Sequence, residues 1–129
     1  MTQFTWDPAR HGVGVEHMDA IHQEFLALAR RLEGCPNSLF ASRLQALVEH
    51  TEAHFAAEER EMRETECPTL AEHEAEHARL LADLRRFQQS VARGRPAMAR
   101  AFVEEGLADW FEHHLATMDA ALATYLRGG

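Results

Sequence analysis

His54 and Glu58 stand four residues apart in the segment H-F-A-A-E, and His73 and His77 do the same in H-E-A-E-H. On a helix that spacing puts both members of a pair on one face, with about 5–6 Å between Cβ atoms, so each pair can aim two ligand atoms at one small region. A buried imidazole or carboxylate is costly unless something compensates it, and a metal ion compensates several at once. Nine histidines and 21 acidic residues also make chance pairs common. A lone inward histidine is ordinarily a hydrogen-bonded core residue, and Glu58 alone would belong to the solvated acidic run Glu59, Glu61, Glu64 and Glu66. Convergence of several pairs on one level of the molecule separates the two readings.

The elements that must position these residues follow from breakers and apolar periodicity. Pro8, Gly12 and Gly14 mark residues 1 to about 15 as an irregular arm that Phe4 and Trp6 can pin to the rest. Helices are expected over about 16–33, 39–64, 69–92 and 97–126. The first carries the stripe Met18, Ile21, Phe25, Leu28 and Leu32, and the second Leu44, Leu47, Thr51, His54, Glu58 and Met62. The third runs through Leu70, His73, His77, Leu84, Phe87 and Val91, and the fourth through Val103, Leu107, Trp110, His114, Met118, Ala121 and Tyr125. Asn37 or Ser38 is the cap expected for the second helix, and a Thr69–Glu72 capping box for the third. Long helices with short connections pack as an all-α, antiparallel, up-down-up-down four-helix bundle, here one domain over residues 1–129.

In such a bundle the polar residues fall at one height. Counted from the connection near residue 66, His54 and Glu58 lie about 8–12 residues down the second helix and His73 and His77 about 7–11 down the third. From the connection near residue 94, His73 and His77 lie about 17–21 residues away and His114 about 20. His22 lies about 11 residues before the end of its helix, against about 14 for His54 after the start of the next. Each helix can therefore deliver a ligand to one core layer. Five imidazoles exceed what one four-coordinate zinc uses, and carboxylates able to bridge suggest two metals. The ferritin-like pattern needs Glu-x-x-His on two helices, whereas only Glu74–His77 has that spacing.

A formal charge of −8 argues against DNA, RNA or an anionic membrane surface as partner, since such affinity needs a basic face. No apolar run suits a signal peptide or a membrane span, so a cytoplasmic location is expected. Cys35 and Cys67 are too few for a disulfide framework and fall in connections at opposite ends of the bundle.

Taken in order, M-D-A-I-H at 18–22, H-F-A-A-E-E at 54–59, H-E-A-E-H at 73–77 and W-F-E-H-H-L-A-T-M-D at 110–119 resemble the motif set of the hemerythrins in their single-domain bacterial form, and the arm F-T-W-D at 4–7 is similar too. The resemblance implies His73, His77 and His114 on one iron, His22 and His54 on the other, and Glu58, Asp119 and a solvent-derived oxo or hydroxo bridging both. Asp119 rests on the family pattern alone, because five residues turn about 140° beyond one revolution from His114 on an ideal helix. His113 rivals His114, and the stripe Leu107, Trp110, His114 favours the latter. The chain departs from the family at Ile21, His50, Cys67 and His113, none of them a ligand position. His50 is expected to be a half-buried surface residue or a hydrogen-bond partner of His54, and His11 and His17 surface residues.

With two imidazoles against three, one iron would keep an open position for dioxygen. Phe25, Phe55, Trp110, Phe111 and Leu115 are the candidate lining of an apolar pocket there, with ordinary core packing as the alternative. The resemblance implies a non-enzymatic protein that binds dioxygen reversibly for storage, delivery or buffering. The alternatives are a diiron oxidoreductase acting on peroxide or nitric oxide, and a sensor of oxygen or iron acting through a separate partner.

Overall fold

The computed structural model describes residues 2–128, and its elements are all helical. They are α1 (Pro8–His11), α2 (Glu16–Leu32), α3 (Asn37–Glu64), α4 (Leu70–Ala92), α5 (Ala97–Glu105), α6 (Leu107–His114), a π-helical turn (Leu115–Asp119) and α7 (Ala120–Leu126). The sequence reading treats 97–126 as one uninterrupted helix, and here the structure differs. Gly106 interrupts the hydrogen-bond ladder only locally: its N–H reaches the Phe102 carbonyl and its own carbonyl accepts from the Trp110 N–H. α5 to α7 thus form one rod, the fourth of a four-helix bundle.

Two apolar clusters fix the direction of the rods. Met18 at the start of α2 packs with Met62 at the end of α3, with Cys67, and with Leu122 and Ala123 in α7. Leu32 at the end of α2 shares the larger cluster with Phe40 at the start of α3, Leu84 in α4 and Ala99 in α5. Starts meet ends at both places, so neighbouring rods are antiparallel. Between the clusters lies a polar layer containing His22, His54, Glu58, His73, His77, His114 and Asp119.

Helix ends show where local signals yield to tertiary contacts. The capping box does not form: Thr69 makes no side-chain cap, and its hydroxyl lies 3.4 Å from the Cys67 sulfur. Asn37 is drawn away from capping α3, its Oδ1 accepting from the Arg100 guanidinium at 2.7 and 2.9 Å. α4 ends in a Schellman motif, with Gly94 at φ +78° and the Arg95 N–H on the Ser90 carbonyl. α3 ends the same way with Glu66 at φ +54°, where a side chain is disfavoured. The arm, expected to be irregular, holds the turn α1, capped by Asp7 accepting from the Ala9 N–H at 3.1 Å. Among the described residues no helix is long and apolar enough to cross a membrane.

Candidate metal centre

Two carboxylates organise the polar layer. Glu58 places Oε1 at 3.2 Å from His73 Nε2 and 3.3 Å from His77 Nε2, while its Oε2 lies 3.3 Å from His54 Nε2. Asp119 divides likewise, with Oδ1 at 3.2 Å from His73 Nε2 and 3.3 Å from His114 Nε2, and Oδ2 at 3.2 Å from His22 Nε2. Each carboxylate therefore offers one oxygen to the group His73, His77 and His114, and the other to His22 and His54.

Several of these approaches are not hydrogen bonds. Both ring nitrogens of His22 and of His114, Nε2 of His77 and Oε1 of Glu58 have no hydrogen-bond partner, although all are buried. Leaving so many buried polar atoms unpaired is costly unless something else satisfies them. Metal–nitrogen and metal–oxygen bonds of about 2.0–2.2 Å meeting at right angles set neighbouring ligand atoms about 3 Å apart, which matches this spacing. The donors also fall into two compact sets that share Glu58: one with His73, His77 and His114, the other with His22 and His54. The donor set fits a pair of metal ions, and imidazole with carboxylate suits iron.

Electrostatics favours the same arrangement. Burial pushes the Glu58 pKa upward, but the imidazoles of His54, His73 and His77 around the carboxylate outweigh it and hold the carboxyl well below its usual range. Asp119 is likewise held low against its burial by His114, His22 and His73. Burial works to lower the pKa of His73, yet Asp119 and Glu58 on either side raise it to about 9. Two ionised carboxylates in a buried layer demand positive charge.

The backbone explains how Asp119 reaches the layer. The Ala120 N–H bonds to the Leu115 carbonyl five residues back, widening this turn of the rod. The extra residue advances the phase by one position: the inward set after His114 is Asp119, Leu122 and Ala123, while Ala121 and Tyr125, expected inward, are exposed. Tyr125 instead donates its hydroxyl to the Thr65 carbonyl. His114 is buried and His113 exposed, so of the two it is His114 that lies in the polar layer.

The supports of the two sides differ. Phe55 stacks on His77 with ring centres 3.7 Å apart, and Trp110 on His114 at 4.7 Å. His77 Nδ1 donates to Glu59 Oε2 at 2.7 Å, which leaves the Nε2 lone pair facing inward. On the other side, His22 meets Phe111 edge-on at 5.7 Å, and Phe111 stacks on Phe25 at 5.2 Å. Leu115 is buried in the larger apolar cluster. Of the candidate pocket residues, Phe25 and Phe111 thus stand beside His22, Trp110 lies against His114, and Phe55 touches both groups, with His54 at 5.4 Å.

Sequence reasoning missed Glu59, assigned to a solvated run; its contact crosses between helices, so no spacing within α3 announces it. His11 is a second correction, being buried rather than on the surface. Its Nδ1 accepts from the Asp7 N–H at 2.9 Å, and its ring lies 5.8 Å from Phe111. His50 is half-buried, 6.1 Å from the His54 ring and 3.9 Å from Glu24. Cys35 and Cys67 are both free and buried, one in each apolar cluster.

Comparison with known proteins agrees with this geometry. Residues 13–126 match the hemerythrin HHE cation binding domain. The chain is similar to a bacteriohemerythrin of Ralstonia nicotianae, 35% identical over 98% of this chain and 90% of that protein. A bacteriohemerythrin of Methylococcus capsulatus is 26% identical over 92% and 93% of the two chains. Among solved structures, a crystal structure of wild-type hemerythrin superposes with a TM-score of 0.83, at 25% identity over 95% of this chain and 97% of that one.

Proposed function

Since this chain belongs to the hemerythrin family, we propose that it binds dioxygen reversibly at a pair of non-haem iron ions and acts as a non-enzymatic oxygen store, carrier or buffer. The observation that carries this reading is the division of both carboxylates between unequal groups of imidazoles, three on one side and two on the other. His73, His77 and His114 would hold one iron, His22 and His54 the other, with Glu58 and Asp119 spanning both. Two iron ions held there would supply the electrons and the coordination position that dioxygen needs.

The chain's own residues do the rest. Glu59 fixes the His77 ring through Nδ1, and the aromatic planes of Phe55 and Trp110 fix His77 and His114. On the side with fewer donors, Phe111 beside His22, and Phe25 stacked on it, present apolar surface that excludes water and proton donors, slowing oxidative loss of the bound gas. Burial of the whole layer keeps the electrostatic interactions among these groups strong.

Anaerobic ferrous reconstitution tests this directly. Metal counting should give two irons per chain, and alternating air with argon should produce an absorption change that reverses fully, with one dioxygen taken up per iron pair. Irreversible bleaching, or steady consumption of peroxide or nitric oxide with a reductant, would select the oxidoreductase instead.

A further inference from the structure

A cavity of about 280 Å³ opens between α2 and α3 and ends at the metal layer. Its lining includes His54 and Glu58, which are 8% and 6% exposed. His22, His73, His77 and Asp119, by contrast, are 1–2% exposed. Each of these two residues also has a buried atom without a hydrogen-bond partner, His54 Nδ1 and Glu58 Oε1, so the residues at the floor of the cavity are not fully satisfied by the protein itself. At its outer edge His17 and Glu61 pair at 3.0 Å, with side chains 60% and 34% exposed. Glu61 follows Glu58 by three residues and Glu58 follows His54 by four, so the three form one ladder along α3 from surface to core. Glu64 adds a third carboxylate to the lining after Glu58 and Glu61, against Arg60 as its one arginine.

We propose that this cavity is the path by which ferrous ion is loaded, with His17 and Glu61 as a transient docking site from which the ion passes to Glu58 and His54. The proposal rests on the diiron reading above. A divalent cation gives up its water reluctantly, and Met18 and Ile21 in the same wall offer it nothing in exchange. An imidazole and a carboxylate one turn above the floor let the water be replaced in steps. The net negative wall raises the local concentration of cations and repels anions.

A path differs from a ligand in its kinetic signature. Changing the path slows loading and loss by the same factor and leaves the equilibrium untouched, whereas changing a ligand alters affinity. The test uses the full chain under argon: stopped-flow uptake of ferrous ion by metal-free protein, and loss from the reduced, loaded protein to a ferrous chelator. Glu61→Lys should slow both on the order of tenfold at low ionic strength, with the difference shrinking in high salt. Glu61→Gln and His17→Ala should each slow both to a smaller degree, with final iron per chain as in the parent. His17 is exposed and Glu61 partly so, and unchanged circular dichroism would establish that the variants fold. Rates equal to those of the parent in all three variants would overturn the loading path while leaving the diiron reading intact, and so would weaker affinity at an unchanged loading rate. A parent chain that takes up no ferrous ion would overturn both.

Discussion

On the side of His73, His77 and His114, two of the three rings are held before any metal arrives, His77 by stacked Phe55 and the Glu59 carboxylate and His114 by stacked Trp110. On the side of His22 and His54, neither Nδ1 has a partner, the aromatic neighbours meet the rings edge-on or tilted, and a cavity reaches the floor. The first side is preorganised, and its binding loses little to ordering. The second is oriented mainly through the shared carboxylates, and is the side that small molecules can reach. Under the proposed function, holding iron and admitting dioxygen would fall to different sides of the centre.

Removing what the two sides share should have the largest effect. Glu58→Ala should reduce iron well below two per chain, because both sides lose an oxygen; His77→Ala should lower it less. Unchanged iron in both, by metal analysis, would refute the assignment. Glu59→Gln touches only the preorganised side, and loss of such a carboxylate partner typically weakens a metal by 10–100-fold. Chelator competition should show a loss of about tenfold or more confined to one iron of the pair, and equal weakening of both would mean that the two sides are not held differently.

Acid should act through the residue between the carboxylates. In the metal-free chain His73 is protonated below about 9, so its contribution to the fold is complete below the ordinary value of 6.5 and is lost as the pH rises through about 9. Iron must displace that proton, so affinity should climb with pH across this window, by about tenfold per unit while one proton is released. Iron titrations in buffers of different ionisation heat would count the proton. Phe111→Leu alters the face beside His22, and dioxygen release and autoxidation rates should each change several-fold. Comparable rates would assign Phe111 to packing alone. The smallest effect is expected far from both sides: Glu66→Gly relieves a left-handed residue costing ~1 kcal/mol, partly offset by the freer unfolded chain, and should raise stability slightly in thermal melts without changing iron content.

Much of the centre was legible because its pairs are local. His54 with Glu58 and His73 with His77 share a face by helical period alone, and matching heights on antiparallel rods follow from counting residues. The cap expected at Asn37 failed because Arg100, brought close by packing, took the side chain that local rules assigned to the backbone, whereas the Thr69 hydroxyl turns to Cys67, only two residues before it. His11 and Glu59 were misplaced for a related reason: the partners that cover them, on α6 and α4, are distant in the chain.

The amino-acid order settled which residues could be ligands, how the helices alternate apolar and polar faces, and that charge would favour a cation. Asp119, reached from the sequence only through the family pattern, is brought to the layer by the folded molecule, since a widened turn at 115–119 shifts the last helix by one residue, and no α-helical spacing predicts such a turn. The folded molecule also decided that each carboxylate straddles two groups of imidazoles, because that depends on the relative rotation of four rods, a quantity set by packing between helices and not by the period within any of them.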